Sequence, residues 1–202
     1  MRFIDLHVHS NLSTGADPPE KMLEHAGSLK VTVGLCDGAR GDFPSGIELS
    51  PTSRRDLRQK LGKKLDYVVV CGGSYRINRL AVAESRVDIL AHPDLGRRDS
   101  GVDAIVARAA ADNKVALEVN LGRIINTSGT GRVYILRNIK KTLILARKYG
   151  APLIASTGAE SWIGLRGGDG VYSLLRTIGF QEDEAFDAMV TVPEKILRGE
   201  MK

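Results

Sequence analysis

Seven short apolar runs punctuate this chain, and most of them end on a polar side chain. The run at residues 2–8 ends at His7 and His9, 30–37 at Asp37, Gly46–Leu49 at Glu48, 87–91 at His92, and 115–121 at Asn120. Runs at 66–71 and 152–156 complete the set. Apolar runs without polar alternation suit strands buried on both faces, the environment of a parallel sheet under helices. Helical patterns separate them at 18–29, 52–61, 75–83, 102–113 and 133–149, and two or three more follow, the last opened by Pro193. Asp17 is the expected N-cap of the first helix, with Pro18 its first residue, and Thr52 or Ser53 caps the second. Gly150 ends the longest. Strands and helices in alternation give parallel strands joined by crossovers. Polar residues at so many strand ends favour a closed barrel over an open sheet, because a barrel gathers those ends around one mouth. The expected fold is therefore α/β, a compact, somewhat irregular TIM-like (β/α) barrel of about seven strands, with residues 1–202 as one domain. Residues 38–45 and 125–131, the latter rich in Gly, Ser, Thr and Asn, read as exposed loops.

Composition narrows the setting. Hydrophobic residues make up 43% and charged residues 26%, a globular balance. No stretch has the uninterrupted apolar length of a bilayer span, and the first strand starts with no leader-like segment before it. The expectation is a cytoplasmic protein without a membrane partner. Cys36 and Cys71 sit in valine-rich runs and read as buried small hydrophobes, not as a disulfide or a zinc site.

The net charge of +5 is modest, but its distribution is not. Residues 119–159 contain no Asp or Glu, yet they carry Arg123, Arg132, Arg137, Lys140, Lys141, Arg147 and Lys148. A second cluster comprises Arg54, Arg55, Arg58, Lys60, Lys63 and Lys64, and Arg97 and Arg98 form a pair. Any one basic run is unremarkable on a solvated helix face. The long helix argues for more. Ile135, Ile139, Leu143 and Ala146 recur at core-facing spacing, while Arg137, Lys140, Lys141, Arg147 and Lys148 share the opposite side. A salt-bridged solvent helix would interleave acids at i,i+4, and this one has none, so its basic face has no local partner. Phosphate is the natural counter-charge. Aromatics are only 5%, which disfavours base stacking and points to backbone and shape recognition of a folded nucleic acid.

The sequence Asp5-Leu6-His7-Val8-His9-Ser10 closes the first strand. Side chains at i and i+2 of a strand share a face, so His7 and His9 can address one ion. Asp37, Glu48, His92 and the Glu118-Val119-Asn120 segment fall at other strand ends, whereas His25 lies in a helix. With Ala91-His92-Pro93 and Gly46-Ile47-Glu48, this constellation resembles the PHP superfamily of metal-dependent phosphoesterases. The resemblance is incomplete. Asp37-Gly38 stands where that superfamily has Asp-His, Ser13-Thr14-Gly15 supplies no ligand, Asn126 stands near a usual histidine, and Gly158-Ala159-Glu160 replaces a terminal Asp-x-His. What the resemblance implies is that His7, His9, Glu48 and His92 are the surviving metal ligands, a vestigial set suited at most to one weakly held divalent ion and not to a multinuclear hydrolytic centre.

A second resemblance covers nearly the whole chain. Residues 66–70 before Gly72-Gly73, 78–82, 86–93, 96–101, 116–120, 138–143, 145–149 and 152–159 are similar to the p30-type, PHP-like protein subunits of archaeal ribonuclease P. That resemblance implies a subunit of an endoribonuclease that removes the 5′ leader of precursor tRNA, in which the RNA is catalytic and the chain itself is not. It implies ribonuclease P RNA, precursor tRNA and other protein subunits as partners, no DNA, no cofactor of the chain's own beyond that weak divalent ion, and Mg²⁺ for the assembly. The residues expected to contact RNA or a partner subunit are Arg54, Arg55, Arg58, Lys60, Arg97, Arg98, Arg123, Arg132, Arg137, Lys140, Lys141 and Lys148. Arg79 and Arg86 are expected in internal ion pairs, for example with Asp88 or Glu84, Asn78 in bracing the Gly-Gly turn, and Trp162 in packing under a loop. The alternative is a stand-alone phosphoesterase using His7, His9, Glu48 and His92.

Overall fold

The computed structural model describes residues 1–62 and 65–201. Its strands are β1 (Phe3–Val8), β2 (Val31–Leu35), β3 (Gly46–Leu49), β4 (Tyr67–Cys71), β5 (Ile89–Ala91), β6 (Ala116–Asn120) and β7 (Leu153–Ser156). All pairings between them are parallel. β3 to β7 form one sheet in sequence order, and β1 with β2 form another. Isolated bridges close the ring on both sides of that pair, Val8 to Ala159 and Leu35 to Ser45. The result is the TIM-like barrel expected from the alternation.

Period-2 alternation sorts the side chains. Tyr67, Val69, Ile89, Ala91, Ala116 and Ile154 face the interior with Ile4 and Leu6, while Val68, Val70, Leu90 and Leu117 face the helices. Tyr67 is the largest interior side chain, and two glycines make room for it. A Cβ on Gly46 would lie 2.2 Å from its ring, and one on Gly34 would lie 2.5 Å from its hydroxyl. Its hydroxyl lies 3.6 Å from Cys36 Sγ, and burial pushes the Cys36 thiol up to about 12.

The helices are α1 (Pro19–Ser28), α2 (Arg54–Lys60), α3 (Tyr75–Val82), α4 (Ala104–Asn113), α5 (Leu121–Asn126), α6 (Gly129–Tyr149), α7 (Gly168–Ile178), α8 (Glu182–Phe186) and α9 (Val192–Leu197). Between α8 and α9 the chain makes a π turn, Asp187–Thr191, in which Val192 N–H reaches back to the Asp187 carbonyl. Pro193 follows and has no N–H to give, so the wider turn falls where an α-helical bond is lost anyway. Ile196 of α9 joins the barrel interior.

Three local expectations are corrected. Residues 125–131 are not a loop: α5 and the first residues of α6 occupy all but Thr127 and Ser128. Asn120 caps α5 by accepting from Arg123 N–H, and burial of Leu121 and Ile124 outweighs the poor helix propensity of the segment. Asp17 does not cap α1, because its carboxylate accepts from Ser161 and Trp162 across the barrel wall, and Pro18 takes the cap position, leaving Pro19 first in the helix. Cys71 is half-exposed at the mouth and not buried like Cys36. Ser53 caps α2, as expected.

Candidate functional site

Every strand C-terminus opens on the same end of the barrel. Glu48, Glu118, Asn120 and Ser156 continue the inward register of β3, β6 and β7. Two backbone irregularities bring histidines to join them. Pairing of β1 with β2 slips between Asp5 and Val8, so Leu6 packs inside while its neighbour His7 also turns to the mouth. His92 has φ +47, a left-handed conformation that costs a non-glycine residue about 1–3 kcal/mol. It follows the inward Ala91, and the turn swings its ring back over the mouth.

Glu118 is the hub. Its carboxylate lies 2.5 Å from His7 Nδ1, accepts from His92 N–H at 2.9 Å, and accepts from the Ser156 hydroxyl and from Asn120 Nδ2. Glu48 lies 3.4 Å from His7 Nε2 and 3.6 Å from His9 Nε2. Burial opposes charge on both His7 and Glu118, but each stabilises the other. Their contact holds the His7 imidazolium well above its ordinary range and the Glu118 carboxyl well below its own. Burial lowers the His92 ring. Asp5, behind His7, accepts from Thr157 N–H and hydroxyl, and burial raises its carboxyl to about 6.

Among the described residues, three buried side-chain polar atoms lack a hydrogen-bond partner, and all three are here: His7 Nε2, Glu48 Oε1 and His92 Nδ1. Two groups have ligand atoms close enough for one cation, His7 with His9 and Glu48, and His7 with His92 and Glu118. Unsatisfied buried nitrogen and oxygen atoms within two overlapping groups that share His7 fit a divalent cation. The four side chains expected from the sequence come together, and they are joined by Glu118, which that reading placed at a strand end but not among the ligands. Its inward position two residues after Ala116 was the available signal. Asp37 is otherwise engaged, since its carboxylate holds the β1–α1 loop through Ser10 and Ser13. Asn126 is exposed at the end of α5, away from the cluster.

The cationic residues divide by their partners. Arg54 and Arg55 are exposed at the start of α2 and pair with no described residue. Arg58 reaches Glu84 at 3.6 Å and Lys60 reaches Asp56 at 3.1 Å. Lys63 and Lys64 lie outside the described residues. Arg97 is pinned by both oxygens of Asp99 and stacks 4.1 Å above Tyr75. Arg123 is half-buried against Asp94, which also accepts from Asn138 of α6. Arg132 folds back on the Thr127 and Ile125 carbonyls, and Arg137 on that of Arg98. Arg98, Lys140, Lys141 and Lys148 are exposed. The basic helix is not wholly without local acids: Arg147 makes a two-point ion pair with Glu184 of α8, contributed by the acidic segment that follows α7. Arg86 pairs with Glu84 as expected, while Arg79 pairs with Asp103. Asn78 braces its turn, accepting from Gly73 and donating to the Pro93 and Gly101 carbonyls. Trp162 packs on His25.

A ring of seven parallel strands with three histidines and two glutamates at its mouth defines a histidine-rimmed TIM-like barrel. A prolidase structure shares that fold at a TM-score of 0.66 and 12% identity, over 97% of this chain and 74% of its own. The chain belongs to the RNase P subunit p30 family, whose profile matches residues 42–202. It is 39% identical to ribonuclease P protein component 3 of Methanosarcina barkeri over 155 residues, which are 75% of this chain and 64% of that relative. The chain thus spans a little under two thirds of the length of such relatives. With the component 3 of Methanococcoides burtonii, identity is 32% over 97% of this chain and 87% of the relative. A chain in the cryo-EM structure of archaeal ribonuclease P with mature tRNA superposes with a TM-score of 0.80 and 26% identity, over 98% of this chain and 90% of that one.

Proposed function

We propose that this chain, acting as one barrel unit, is a protein subunit of archaeal ribonuclease P. It supports RNA-catalysed 5′ maturation of precursor tRNA by binding the ribonuclease P RNA and a partner protein subunit, and it works in the cytoplasm. The superposition over 98% of the chain on a component of archaeal ribonuclease P carries this reading. Of the cations expected to contact RNA, the exposed ones whose side chains form no ion pair or hydrogen bond with a described residue, Arg54, Arg55, Arg98, Lys140, Lys141 and Lys148, are the RNA-facing set. Arg97 and Arg123 act through the loops that they brace. Reconstitution of precursor-tRNA cleavage from the RNA and its protein subunits, with and without this chain, is the test. Omission is expected to lower activity or raise the Mg²⁺ requirement, and unchanged cleavage would count against the assignment.

The cluster at the mouth supports a subsidiary reading. His7 with His9 and Glu48, or His7 with His92 and Glu118, would hold one divalent ion, which supplies Lewis acidity toward a phosphate oxygen when bound. The chain's own contribution is orientation. Glu118 fixes the His7 ring through Nδ1 and leaves Nε2 aimed at the centre. A generic phosphoester substrate with Mn²⁺, run beside His7→Ala, separates the readings. Histidine-dependent turnover would establish a stand-alone phosphoesterase, and no turnover leaves the accessory role.

A further inference from the structure

At the barrel end away from the mouth, the first residue of the chain, α7 and α8 enclose an open groove of about 530 Å³ lined by Met1, Tyr172, Gln181, Glu182, Asp183 and Phe186. Phe186 is 46% exposed, although both neighbours of its short helix are anchored. Arg147 fixes Glu184, and Glu184 also caps the start of α8 by accepting from Gln181 N–H. The aromatic ring is thus held in solvent by a braced helix.

The charge here is opposite to that of the rest of the molecule. In a chain of net charge +5, this groove has no Lys or Arg in its lining, the Met1 ammonium there is taken up by Asp169, and Glu182 and Asp183 form no ion pair with any described residue. Carboxylates of this kind repel phosphate, so RNA is excluded from the face. An exposed aromatic beside unpaired carboxylates matches a lysine- or arginine-rich protein segment that carries one apolar anchor.

We propose that the Tyr172–Phe186 groove docks a basic segment of another protein subunit of the same ribonucleoprotein, with its apolar anchor against Phe186 and its cations against Glu182 and Asp183. This rests on the ribonuclease P reading above and adds a division of labour: the basic surfaces face RNA and the acidic corner faces protein.

The test places a photocrosslinker in the chain as Phe186→p-benzoylphenylalanine and assembles the particle from ribonuclease P RNA and its purified protein subunits. The expected product is a cross-link to one protein subunit, mapped to a Lys/Arg-rich peptide. The double variant Glu182→Gln, Asp183→Asn is expected to weaken binding of that subunit at least tenfold, while the isolated chain stays folded and binds RNA no more weakly than the wild type. A cross-link to RNA, a cross-link to a second copy of this chain, or none in a particle that contains the chain overturns the proposal. Failure of the chain to co-migrate with the RNA in the assembled particle instead sinks the ribonuclease P reading itself, and the proposal with it.

Discussion

Asn138, buried on the basic helix α6, donates through Nδ2 to the carboxylate of Asp94 at 3.1 Å, two residues after His92. This contact ties the helix with the longest cationic face to the loop that carries a histidine of the mouth. Arg123 grips the same carboxylate from α5. Replacing Asn138 by Leu leaves Asp94 short of a donor in a buried place, and the expected loss is about 1–3 kcal/mol of folding stability by urea titration. A variant as stable as the wild type would show that α6 is held by its apolar face alone.

The same geometry separates two kinds of cation. Lys140 and Lys141 are exposed, so Lys140→Ala with Lys141→Ala should leave stability within about 0.5 kcal/mol and flatten the log K against log salt slope for RNA by about one to two units. Arg123→Met should do the reverse, costing about 1.5–3 kcal/mol of stability through Asp94. Equal effects on the salt slope would remove this distinction.

Glu118 is predicted to be the costliest single loss at the mouth. Glu118→Gln removes the counter-charge of buried His7, and without added metal the expected destabilisation is about 3–5 kcal/mol. Added Mn²⁺ should raise the wild-type melting temperature, by the equivalent of about 2.7 kcal/mol at one hundred times its Kd. His7→Ala, which lacks the residue common to both ligand groups, should show no such rise. A wild-type protein indifferent to Mn²⁺ would mean that the mouth holds no cation.

Asp5 gives a pH dependence of known sign. Burial raises its carboxyl from the model-peptide value of 3.8 to about 6 in the folded protein. The folded state therefore binds this proton more tightly than the unfolded state. The resulting stability is fully present below the unfolded value and is lost as pH rises through about 6. Asp5→Asn does not titrate. Its stability relative to wild type should improve from pH 4 to pH 7, by about 1–3 kcal/mol. A constant difference across that window would contradict the burial argument.

Gly46→Ala tests the packing of Tyr67. The new methyl would lie 2.2 Å from a fully buried ring, and overpacking of this kind costs about 1–3 kcal/mol. The second change Tyr67→Val should restore much of that loss. Failure of the rescue would place the strain in the backbone of β3.

The ring of strands was legible because its signal is a short continuous apolar run, most often closed by a polar residue, and all seven runs are strands whose side chains alternate with a period of two. Glu48 and Glu118 obey that period, so their inward placement is readable from residues 46–49 and 116–120 alone. His92 is not readable in the same way. After inward Ala91 it should point outward, and only the left-handed backbone at φ +47 returns it to the mouth. The start of α6 was hidden by Gly129 and Gly131, which read as a loop until the burial of Ile135 and Ile139 is set against them. The ion pairs of Arg123 with Asp94 and of Arg147 with Glu184 span 29 and 37 residues, distances over which no local pattern carries information.

The barrel is two sheets and not one, joined by a single bridge at Val8–Ala159 and by two at Leu35–Ser45 and Asp37–Ile47. His7 and His9 ride on the smaller sheet, whereas Glu48, His92 and Glu118 ride on the larger. The polar cluster therefore straddles both joints and works as a clasp. Any force that parts β1 from β7 at Val8–Ala159 also draws the histidines from their glutamates. Hydrogen exchange at His9 N–H, which is bonded to the Ala159 carbonyl, would report in one signal on the closure of the wall and on the assembly of the mouth.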